Sequence, residues 1–361
     1  MDFNKITVEH VRNLVPYQSA RRIGGHGHNF LNANESPKSE GYFINSTSFN
    51  RYPDCQPEEL IERYADYANV SKEQVLASRG SDEGIGLIVR TFVEAGGSEG
   101  ILIAPPTYGM YEVAANTNNV KVAYAKRRDD FSIGASEFID AYNEAPFNVK
   151  VIFIDSPANP LGTVFDKNEL KKLLEALPET LIVVDEAYIE FANKDDDYTS
   201  LINEYDNLII TRTLSKAFAL AGIRCGFVIA KKEIIKTLLK VIDPYPICDP
   251  VAQIAVQALT DHGIRMTHSR VIECNKRREL LDVELRNLPF VKKVFASFGN
   301  FLLVEFADGP AVFNAMAQRG IILRSFENKV GLKNCVRISI GSDEELDELM
   351  RGLTAFAEAQ P

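Results

Sequence analysis

A lysine among small and apolar residues is the first candidate for chemistry in this sequence. Lys216 follows an apolar run, next to Ser215 and shortly before Arg224 in the segment 211–226. Removing an unpaired ammonium from water is costly, so a lysine in such surroundings needs a reason. A Schiff base supplies one, because the amine becomes an imine and an electron sink is placed beside a bound substrate. Ser215 and Arg224 offer a hydroxyl and a fork of N–H donors, which suit a phosphate.

A carboxylate ends another apolar run. Asp185 follows Leu-Ile-Val-Val at 181–184 and precedes Glu-Ala-Tyr. An acid at the carboxyl end of a buried parallel strand points into the crevice where such folds bind ligands. We predict that Asp185 keeps a ring nitrogen of the ligand protonated and that Tyr188 hydrogen-bonds to a phenolic oxygen of the same ring.

Two further segments carry groups that could reach this ring. The segment 156–163, Ser-Pro-Ala-Asn-Pro-Leu-Gly-Thr, has the Pro and Gly content of a turn and follows a buried strand. Its Asn159 offers an amide to the same phenolic oxygen. In the segment 105–111, Tyr108 could stack its own ring on the face of the ligand.

The connection at 78–84 is typical of a phosphate site. Gly80 permits a close backbone approach, and Ser81 is the predicted N-cap of the helix that follows. Free N–H groups at a helix start can hold a phosphate. Asp82 and Glu83 complicate this interpretation, because they already complement the helix dipole. Either their side chains point away from the phosphate, or Asp82 contacts the ring side.

These motifs lie at the ends of segments that predict strands. Strand-like runs occur at 75–78, 101–104, 120–125, 149–155, 181–185, 208–211 and 225–230, with helical patterns between several of them. This alternation indicates a mainly parallel sheet covered on both faces. Each motif alone also fits an ordinary role, as a surface lysine, a strand-end acid, a helix cap, a turn or a core tyrosine. Their occurrence together and in this order predicts one ligand, pyridoxal 5′-phosphate.

A second unit follows the prolines at 243–246, which interrupt a helical pattern. The later sequence predicts a long helix at 263–288 and strands at 291–295, 301–306, 321–324 and 336–340. It also predicts helices at 311–318 and from Asp343 onwards. This order indicates a smaller α/β domain.

With these motifs, the sequence resembles the fold-type I aminotransferases, and within them the histidinol-phosphate aminotransferase family. The resemblance covers nearly the whole chain and includes Val-Arg-Asn-Leu-Val-Pro-Tyr at 11–17 and Leu-Asn-Ala-Asn-Glu-Ser-Pro at 31–37. It also includes Asn-Arg-Tyr-Pro at 50–53 and Ile-Ile-Leu-Arg at 321–324. The turn at 156–163 departs from the usual Asn-Asn-Pro-Thr-Gly, because Ala158 and Leu161 replace its first Asn and its Thr.

The resemblance implies an architecture. A large domain with a mainly parallel seven-stranded sheet would span residues 45–245 and bind pyridoxal 5′-phosphate. A small domain would be built from both chain ends, 1–44 and 246–361. Two chains would form a homodimer with shared active sites.

The resemblance also implies residue roles by motif position. Lys216 resembles the Schiff-base lysine, Asp185 the partner of the pyridine nitrogen and Tyr108 the stacking ring. The phenolic oxygen would be bound by Tyr188 and Asn159. The phosphate cup would be formed by Ser81, Asp82, Thr213, Ser215 and Arg224. Tyr52 matches a tyrosine that reaches the cofactor phosphate of the other subunit, and the implied substrate contacts are Tyr17, Asn34, Arg324 and Arg337.

The implied reaction exchanges an amino group between L-glutamate and imidazole-acetol phosphate, giving 2-oxoglutarate and L-histidinol phosphate in histidine biosynthesis. Two relatives on the same scaffold remain as alternatives, an aromatic amino-acid aminotransferase and a threonine-phosphate decarboxylase, because a few pocket residues could switch the substrate. A protein that binds the cofactor or a partner without turnover is a third alternative. The intact set of Lys216, Asp185 and Arg224 argues against that loss of chemistry.

Composition excludes several other classes of protein. The 361 residues carry 40 Lys and Arg against 50 Asp and Glu, a formal net charge of −10, which does not suit a nucleic-acid binder. No apolar stretch approaches the roughly 20 residues that span a bilayer, so we expect a cytoplasmic protein. The five cysteines and five histidines lack the spacing of a disulfide framework or a metal site.

Overall fold

The structure is a computed structural model and describes residues 1–17 and 26–359. The elements of its first part are α1 (Phe3–Ile6), α2 (Glu9–Arg12), β1 (Asn29–Phe30), α3 (Glu58–Ala68), β2 (Val75–Ser78), α4 (Ser81–Phe92), β3 (Glu99–Ile103), α5 (Met110–Thr117), β4 (Lys121–Tyr124), α6 (Ala135–Glu144) and β5 (Asn148–Asp155). They continue with α7 (Lys167–Ala176), β6 (Leu181–Asp185), β7 (Leu208–Thr213), β8 (Gly226–Ala230), α8 (Lys232–Leu238), α9 (Asp249–Ala258) and α10 (Asp261–Arg286).

The last part of the chain contains β9 (Val291–Val294), β10 (Phe301–Phe306), α11 (Gly309–Gln318), β11 (Ile321–Ile322), β12 (Arg324–Ser325), β13 (Cys335–Ser339) and α12 (Asp343–Glu358). Short 3-10 helices lie at Lys72–Gln74, Ile189–Phe191, Lys194–Asp196, Thr199–Asn203 and Ala221–Ile223. No helix among residues 1–17 and 26–359 is long and apolar enough to cross a membrane.

The seven-stranded large sheet has the order β2-β8-β7-β6-β5-β3-β4. All of its paired strands run parallel except β8, which is antiparallel to both β2 and β7. Apolar runs such as Ile-Val-Val in β6 are buried, as in a sheet covered by helices on both faces. The predicted mainly parallel α/β fold is confirmed, and the predicted strands of this sheet begin and end within two residues of the observed ones.

The register of the large sheet brings the predicted site segments to one edge. Asp155 at the end of β5 is paired with Asp185 at the end of β6, and Asp185 is paired with Thr211 of β7. The turn after β5, the segment after β6 and the lysine loop after β7 therefore leave the sheet side by side. This is the carboxyl edge at which open α/β sheets bind ligands.

The helix after β2 begins one position earlier than the predicted cap requires. Ser81 is the first helical residue, so the predicted N-cap role of Ser81 is wrong and Gly80 occupies the N-cap position. Gly80 has φ +76°, a left-handed conformation that glycine adopts without a steric penalty. Within the described part of the chain, no side-chain hydrogen bond caps the N-terminus of this helix.

The small sheet is antiparallel, with the order β12-β13-β10-β9. The strand predicted at 321–324 is in fact two strands, because the chain changes partners at Leu323: β11 pairs with β1, and β12 pairs with β13. Pairing of β1 with β11 connects the N-terminal segment to the C-terminal third of the chain. In the other pair, Arg324 lies directly opposite Arg337.

Candidate active site

A cavity of about 490 Å³ lies between the carboxyl edge of the large sheet and the small sheet. The predicted site residues that line it are Tyr17, Ser81, Asp82, Tyr108, Asn159, Asp185, Tyr188, Thr213, Ser215, Lys216, Arg224, Arg324 and Arg337. They come from segments more than 300 positions apart, and the fold brings them to one place. Asn34 and Tyr52 do not line this cavity.

Lys216 reaches the cavity from the loop after β7. Its Nζ donates a hydrogen bond to the Ala33 carbonyl oxygen at 2.9 Å and lies 5.7 Å from the centre of the Tyr188 ring. Burial lowers the pKa of the Lys216 ammonium to about 8, and the positive charge of Arg337 acts in the same direction. A substantial fraction of this amine is therefore neutral near physiological pH, and a neutral amine can attack a carbonyl or accept a proton.

Asp185 is buried at the end of β6. Its Oδ2 accepts a hydrogen bond from the Tyr111 hydroxyl at 2.8 Å, while its Oδ1 has no hydrogen-bond partner among the described residues. Burial raises the pKa of Asp185 to about 7, against the opposite effect of the Tyr111 hydrogen bond. A buried carboxylate oxygen without a donor is costly. A protonated ring nitrogen in the cavity would supply both the missing donor and a positive charge.

The two predicted ligands of the ring oxygen are each held by a hydrogen bond from a distant part of the chain. The Tyr188 hydroxyl accepts a hydrogen bond from Nδ2 of Asn34 at 3.0 Å. Arg337 donates to Oδ1 of Asn159. Because Oδ1 is occupied, the Nδ2 group of Asn159 is the one left to donate to a ligand.

The predicted phosphate cup surrounds the start of α4. Nη1 of Arg224 donates to Oγ of Ser215 at 3.2 Å, and Oγ1 of Thr213 donates to the same oxygen at 2.8 Å. A Cβ atom on Gly80 would lie 2.5 Å from Nη2 of Arg224, so any other residue would displace the guanidinium. Backbone N–H groups, hydroxyls and one guanidinium thus converge, and these are the groups that bind phosphate.

The two acids at the start of α4 point in different directions. Asp82 faces the cavity, where its Oδ2 lies 3.2 Å from Nη2 of Arg224 and its Oδ1 accepts from the Tyr108 hydroxyl at 2.9 Å. Glu83 is turned away and pairs with Arg79, whose Nε lies 2.9 Å from Oε1. Asp82 thus contacts both a residue of the predicted phosphate cup, Arg224, and the predicted stacking residue, Tyr108, whereas Glu83 points away from both.

Asp155 is a buried acid that sequence reasoning missed. Its carboxylate accepts from the Thr107 hydroxyl at 2.8 Å and from the backbone N–H groups of Tyr108 and Asn159 at 3.2 and 2.9 Å. It therefore holds Tyr108, the predicted stacking residue, and the turn at Asn159 in place relative to each other. A signal was present in the sequence, because Asp155 ends its apolar run as Asp185 does.

A cationic group lies on the small-sheet side of the cavity. Arg337 is buried and donates to the Asn32 carbonyl oxygen at 2.7 Å, while its Nε has no hydrogen-bond partner among the described residues. Burial lowers the pKa of Arg337 to about 10, although the guanidinium stays protonated at neutral pH. Arg324 lies on the adjacent strand, and Tyr17 completes this side of the cavity. The guanidinium groups of Arg337 and Arg324 suit a carboxylate or a phosphate as ligand.

The remaining two predicted residues lie elsewhere. Asn34 is fully buried behind Tyr188, with an exposed fraction of 0%. Tyr52 is 81% exposed and stacks on Tyr245, with ring centres 4.5 Å apart. Neither position contacts the cavity of the same chain.

Comparisons with known proteins give one family. A model of the family "Aminotransferase class I and II" matches residues 30–353. The histidinol-phosphate aminotransferase of Aeromonas salmonicida (strain A449) is 50% identical over 345 residues, 94% of each chain. That of Serratia proteamaculans (strain 568) is 46% identical over 360 residues, 99% of this chain and 98% of the relative.

Solved structures have the same fold. The histidinol-phosphate aminotransferase from Clostridium acetobutylicum superposes with a TM-score of 0.83 at 25% identity, over 92% of this chain and 99% of the other. The enzyme of that name from Sinorhizobium meliloti, solved in complex with pyridoxal-5′-phosphate, superposes with a TM-score of 0.85 at 22% identity, over 98% of both chains. The similarity of fold therefore extends over both sheets.

Proposed function

The chain belongs to the class I and II aminotransferases, and on that premise we propose that it exchanges an amino group between L-glutamate and imidazole-acetol phosphate. The products are 2-oxoglutarate and L-histidinol phosphate, a step of histidine biosynthesis. The observation that carries this proposal is the near full-length similarity to histidinol-phosphate aminotransferases. A buried lysine beside an anion-binding group of arginines supports it.

The residues around the cavity fit pyridoxal 5′-phosphate. Lys216 would hold the aldehyde carbon, and the partnerless Oδ1 of Asp185 would pair with the pyridine nitrogen. Tyr188 and Asn159 would bind the phenolic oxygen, with Tyr108 stacked on the ring. The phosphate would lie in the cup of Ser81, Asp82, Thr213, Ser215 and Arg224. When bound, this cofactor supplies an electron sink for the negative charge that develops at the substrate α-carbon.

The protein contributes proton transfer and orientation. With the cofactor bound, the Lys216 amine, whose pKa burial lowers to about 8, would be the base that takes the proton from the substrate α-carbon and the acid that returns it. The Asp185 carboxylate would keep the pyridine nitrogen protonated. Glutamate reacts first and the second substrate runs the same steps in reverse, so we expect ping-pong kinetics.

Substrate choice tests the proposal directly. The assay compares L-histidinol phosphate, phenylalanine and threonine phosphate as amino donors to 2-oxoglutarate. We expect the highest kcat/KM for histidinol phosphate, because the cavity presents cations for its phosphate. A higher value for phenylalanine, or release of CO₂ from threonine phosphate, would instead support one of the two alternative activities on this scaffold.

Arg337 and Arg324 are proposed to bind the acidic groups of both substrates, with a contribution from the Tyr17 hydroxyl. Glutamate has two carboxylates, whereas histidinol phosphate has a phosphate and no α-carboxylate, and the planar fork of arginine accepts either group. Removing one partner of a buried charge pair costs about 2–5 kcal/mol. Arg337→Ala should therefore lower kcat/KM for both substrates by about 100-fold.

The measurement is kcat/KM for each substrate, with cofactor occupancy read from visible absorbance. Arg324→Ala should act in the same direction, with the larger effect on the phosphate substrate. The cofactor should stay bound in both variants, because neither guanidinium belongs to the phosphate cup. Unchanged values for both substrates in Arg337→Ala would remove this residue from the substrate site.

We also propose a cytoplasmic homodimer in which Tyr52 reaches the cofactor phosphate of the partner subunit. The segment around Tyr52 supports this, because Phe43, Ile44 and Phe49 are also exposed apolar side chains. Tyr52 also stacks on the exposed Tyr245. Exposed apolar side chains of this kind are typical of protein–protein contacts. The cytoplasmic location is tested by fractionation of cells that express the protein.

Mixing two inactive variants tests the shared site. A hybrid of Lys216→Ala and Tyr52→Ala chains contains one intact site, so an equal mixture should regain about a quarter of wild-type activity if subunits exchange freely. Mixing Lys216→Ala with Asp185→Asn is the control and should restore nothing, since both residues serve the site of their own chain. An active monomer in sedimentation experiments would contradict the shared site.

A further inference from the structure

Three consecutive residues of the N-terminal segment each contact a residue of the site. The Asn32 carbonyl accepts from Arg337, the Ala33 carbonyl accepts from Lys216, and the Asn34 amide donates to Tyr188. Asn34 makes this contact through its side chain. It is fully buried and has φ +53°, so its amide is held in one place by its surroundings.

The hydrogen bonds around Asn34 have a defined direction. Its backbone N–H donates to Oγ of Ser339 at 2.8 Å. The Ser339 hydroxyl donates to Oδ1 of Asn34 at 2.9 Å. With Oδ1 turned to the serine, Nδ2 faces Tyr188 and donates to its hydroxyl at 3.0 Å. Asn300 fixes the same residue by donating from Nδ2 to the Asn34 carbonyl oxygen at 2.9 Å.

The reverse orientation of the Asn34 amide would be poorer. It would direct Nδ2 at Ser339 and leave the serine hydrogen without the acceptor it has now. It would also present Oδ1 to Tyr188, which would then donate its own proton to Asn34. Ser339 therefore determines that Nδ2 of Asn34, and not Oδ1, faces the Tyr188 hydroxyl.

The direction matters because Tyr188 lines the cavity. Its hydroxyl accepts from Asn34, so its own hydrogen is available to a group inside the cavity. Burial raises the pKa of Tyr188, although the Arg337 charge and the Asn34 hydrogen bond act against this, so the hydroxyl remains a donor at neutral pH. Ser339 itself lies two positions after Arg337 on β13, on the same face of the strand.

We propose that Ser339 is a positioning residue: through Asn34 it sets the direction of the Tyr188 hydrogen bond, so that this proton is donated to the ring oxygen of the cofactor. The inference rests on the proposed function, in which Tyr188 binds that oxygen. It gives Asn34 a role behind the tyrosine rather than a direct contact with substrate. Neither Ser339 nor Asn34 touches the cavity.

The test is the pH titration of the visible absorbance of the cofactor-loaded protein. The ring oxygen and the nitrogen bonded to Lys216 share a proton, so loss of a donor makes the oxygen more basic and holds this proton more tightly. Ser339→Ala should therefore raise the pKa of the chromophore by about one unit, the effect of one hydrogen bond. Ser339→Thr keeps the hydroxyl and should titrate as the wild type does.

Two further variants separate this role from a purely structural one. Tyr188→Phe should raise the chromophore pKa at least as far, and adding Ser339→Ala to it should produce no additional shift, because the tyrosine through which the serine acts is gone. Asn34→Asp presents only acceptors to Tyr188 and should also raise the pKa. This variant decides the question if Ser339→Ala does not fold.

The outcomes are distinct. A wild-type protein that never acquires visible absorbance with pyridoxal 5′-phosphate overturns the proposed function, and a Tyr188→Phe variant without a shift overturns the assignment of Tyr188. If Tyr188→Phe shifts while Ser339→Ala and Asn34→Asp titrate as wild type, the inference about Ser339 is wrong and the proposed function stands. If Ser339→Ala alone raises the chromophore pKa, and the pKa of Tyr188→Phe is the same with and without Ser339→Ala, the contacts from Ser339 through Asn34 to Tyr188 are supported.

Discussion

Lys216→Ala is expected to reduce kcat by at least about 10⁴-fold, the largest effect of any single substitution in this chain. Two functions are lost together: the covalent attachment of the cofactor and the base that moves the α-proton. Nζ of Lys216 is held in its position by a hydrogen bond to the Ala33 carbonyl oxygen. The measurement is kcat with saturating L-glutamate and added cofactor.

The identity of the attachment site can be checked independently of turnover. Borohydride reduction of the wild-type protein with pyridoxal 5′-phosphate should label Lys216, as mapped by mass spectrometry of peptides. Lys329 also lines the cavity, so Lys329→Ala is the matched control and should leave the label on Lys216. A label on Lys329 or on any other lysine would contradict the assignment.

Cofactor uptake should also depend on pH in a defined direction. Only the neutral amine attacks an aldehyde, and burial lowers the pKa of Lys216 to about 8. The rate at which the apoprotein gains visible absorbance should therefore rise as pH increases through about 8. A rate that keeps rising to the pKa of an ordinary lysine, about 10.4, would show that burial does not depress this group.

Much of the site could be predicted because its residues end parallel strands. Asp185 ends β6, Asn159 follows β5 and Lys216 follows β7, and each position can be recognised within a few residues of an apolar run. Parallel strands of one sheet end at a common edge, so local patterns were sufficient to place these side chains together. The pairing of Asp155 with Asp185 and of Asp185 with Thr211 places the ends of these three strands side by side, as expected.

Contacts between distant segments could not be predicted in this way. The hydrogen bonds of Asn34 with Ser339 join residues 305 positions apart, and that of Arg337 with Asn159 spans 178. They depend on how segments far apart in the chain pack together, which hydrophobic periodicity does not encode. The direction of the Asp82 side chain is a further example, since its partner Arg224 is 142 positions away.

The residues at which helices and strands begin and end were likewise only partly predictable from the sequence. The apolar run at 321–324 looks like one strand, but its first half pairs with β1 and its second half with β13. Ser81 is an acceptable N-cap by residue type, but the left-handed backbone of Gly80 beside the Arg224 guanidinium places the cap one position earlier. In both cases a distant partner, and not local propensity, decides where the element begins or ends.

Asp185→Asn is expected to have the second-largest effect, a loss of about 2–5 kcal/mol in transition-state stabilisation. That corresponds to a decrease in kcat/KM of about 30- to 5,000-fold. Asparagine preserves the size of the side chain but carries no charge to keep the pyridine nitrogen protonated. The electron sink is weakened at the point where the α-carbon becomes negative, so kcat should fall while the cofactor remains attached to Lys216.

Tyr111→Phe supplies the graded comparison. It removes the hydrogen bond to Oδ2 of Asp185 but keeps the carboxylate, so we expect a loss of about 1 kcal/mol, much smaller than that of Asp185→Asn. The readouts are kcat/KM for both substrates and the visible spectrum of each loaded variant. Near-normal kcat in Asp185→Asn would mean that this carboxylate does not pair with the ring, and the partnerless Oδ1 would then need another explanation. A smaller loss in Tyr111→Phe than in Asp185→Asn would identify the charge itself, and not the geometry of its surroundings, as the contribution of Asp185.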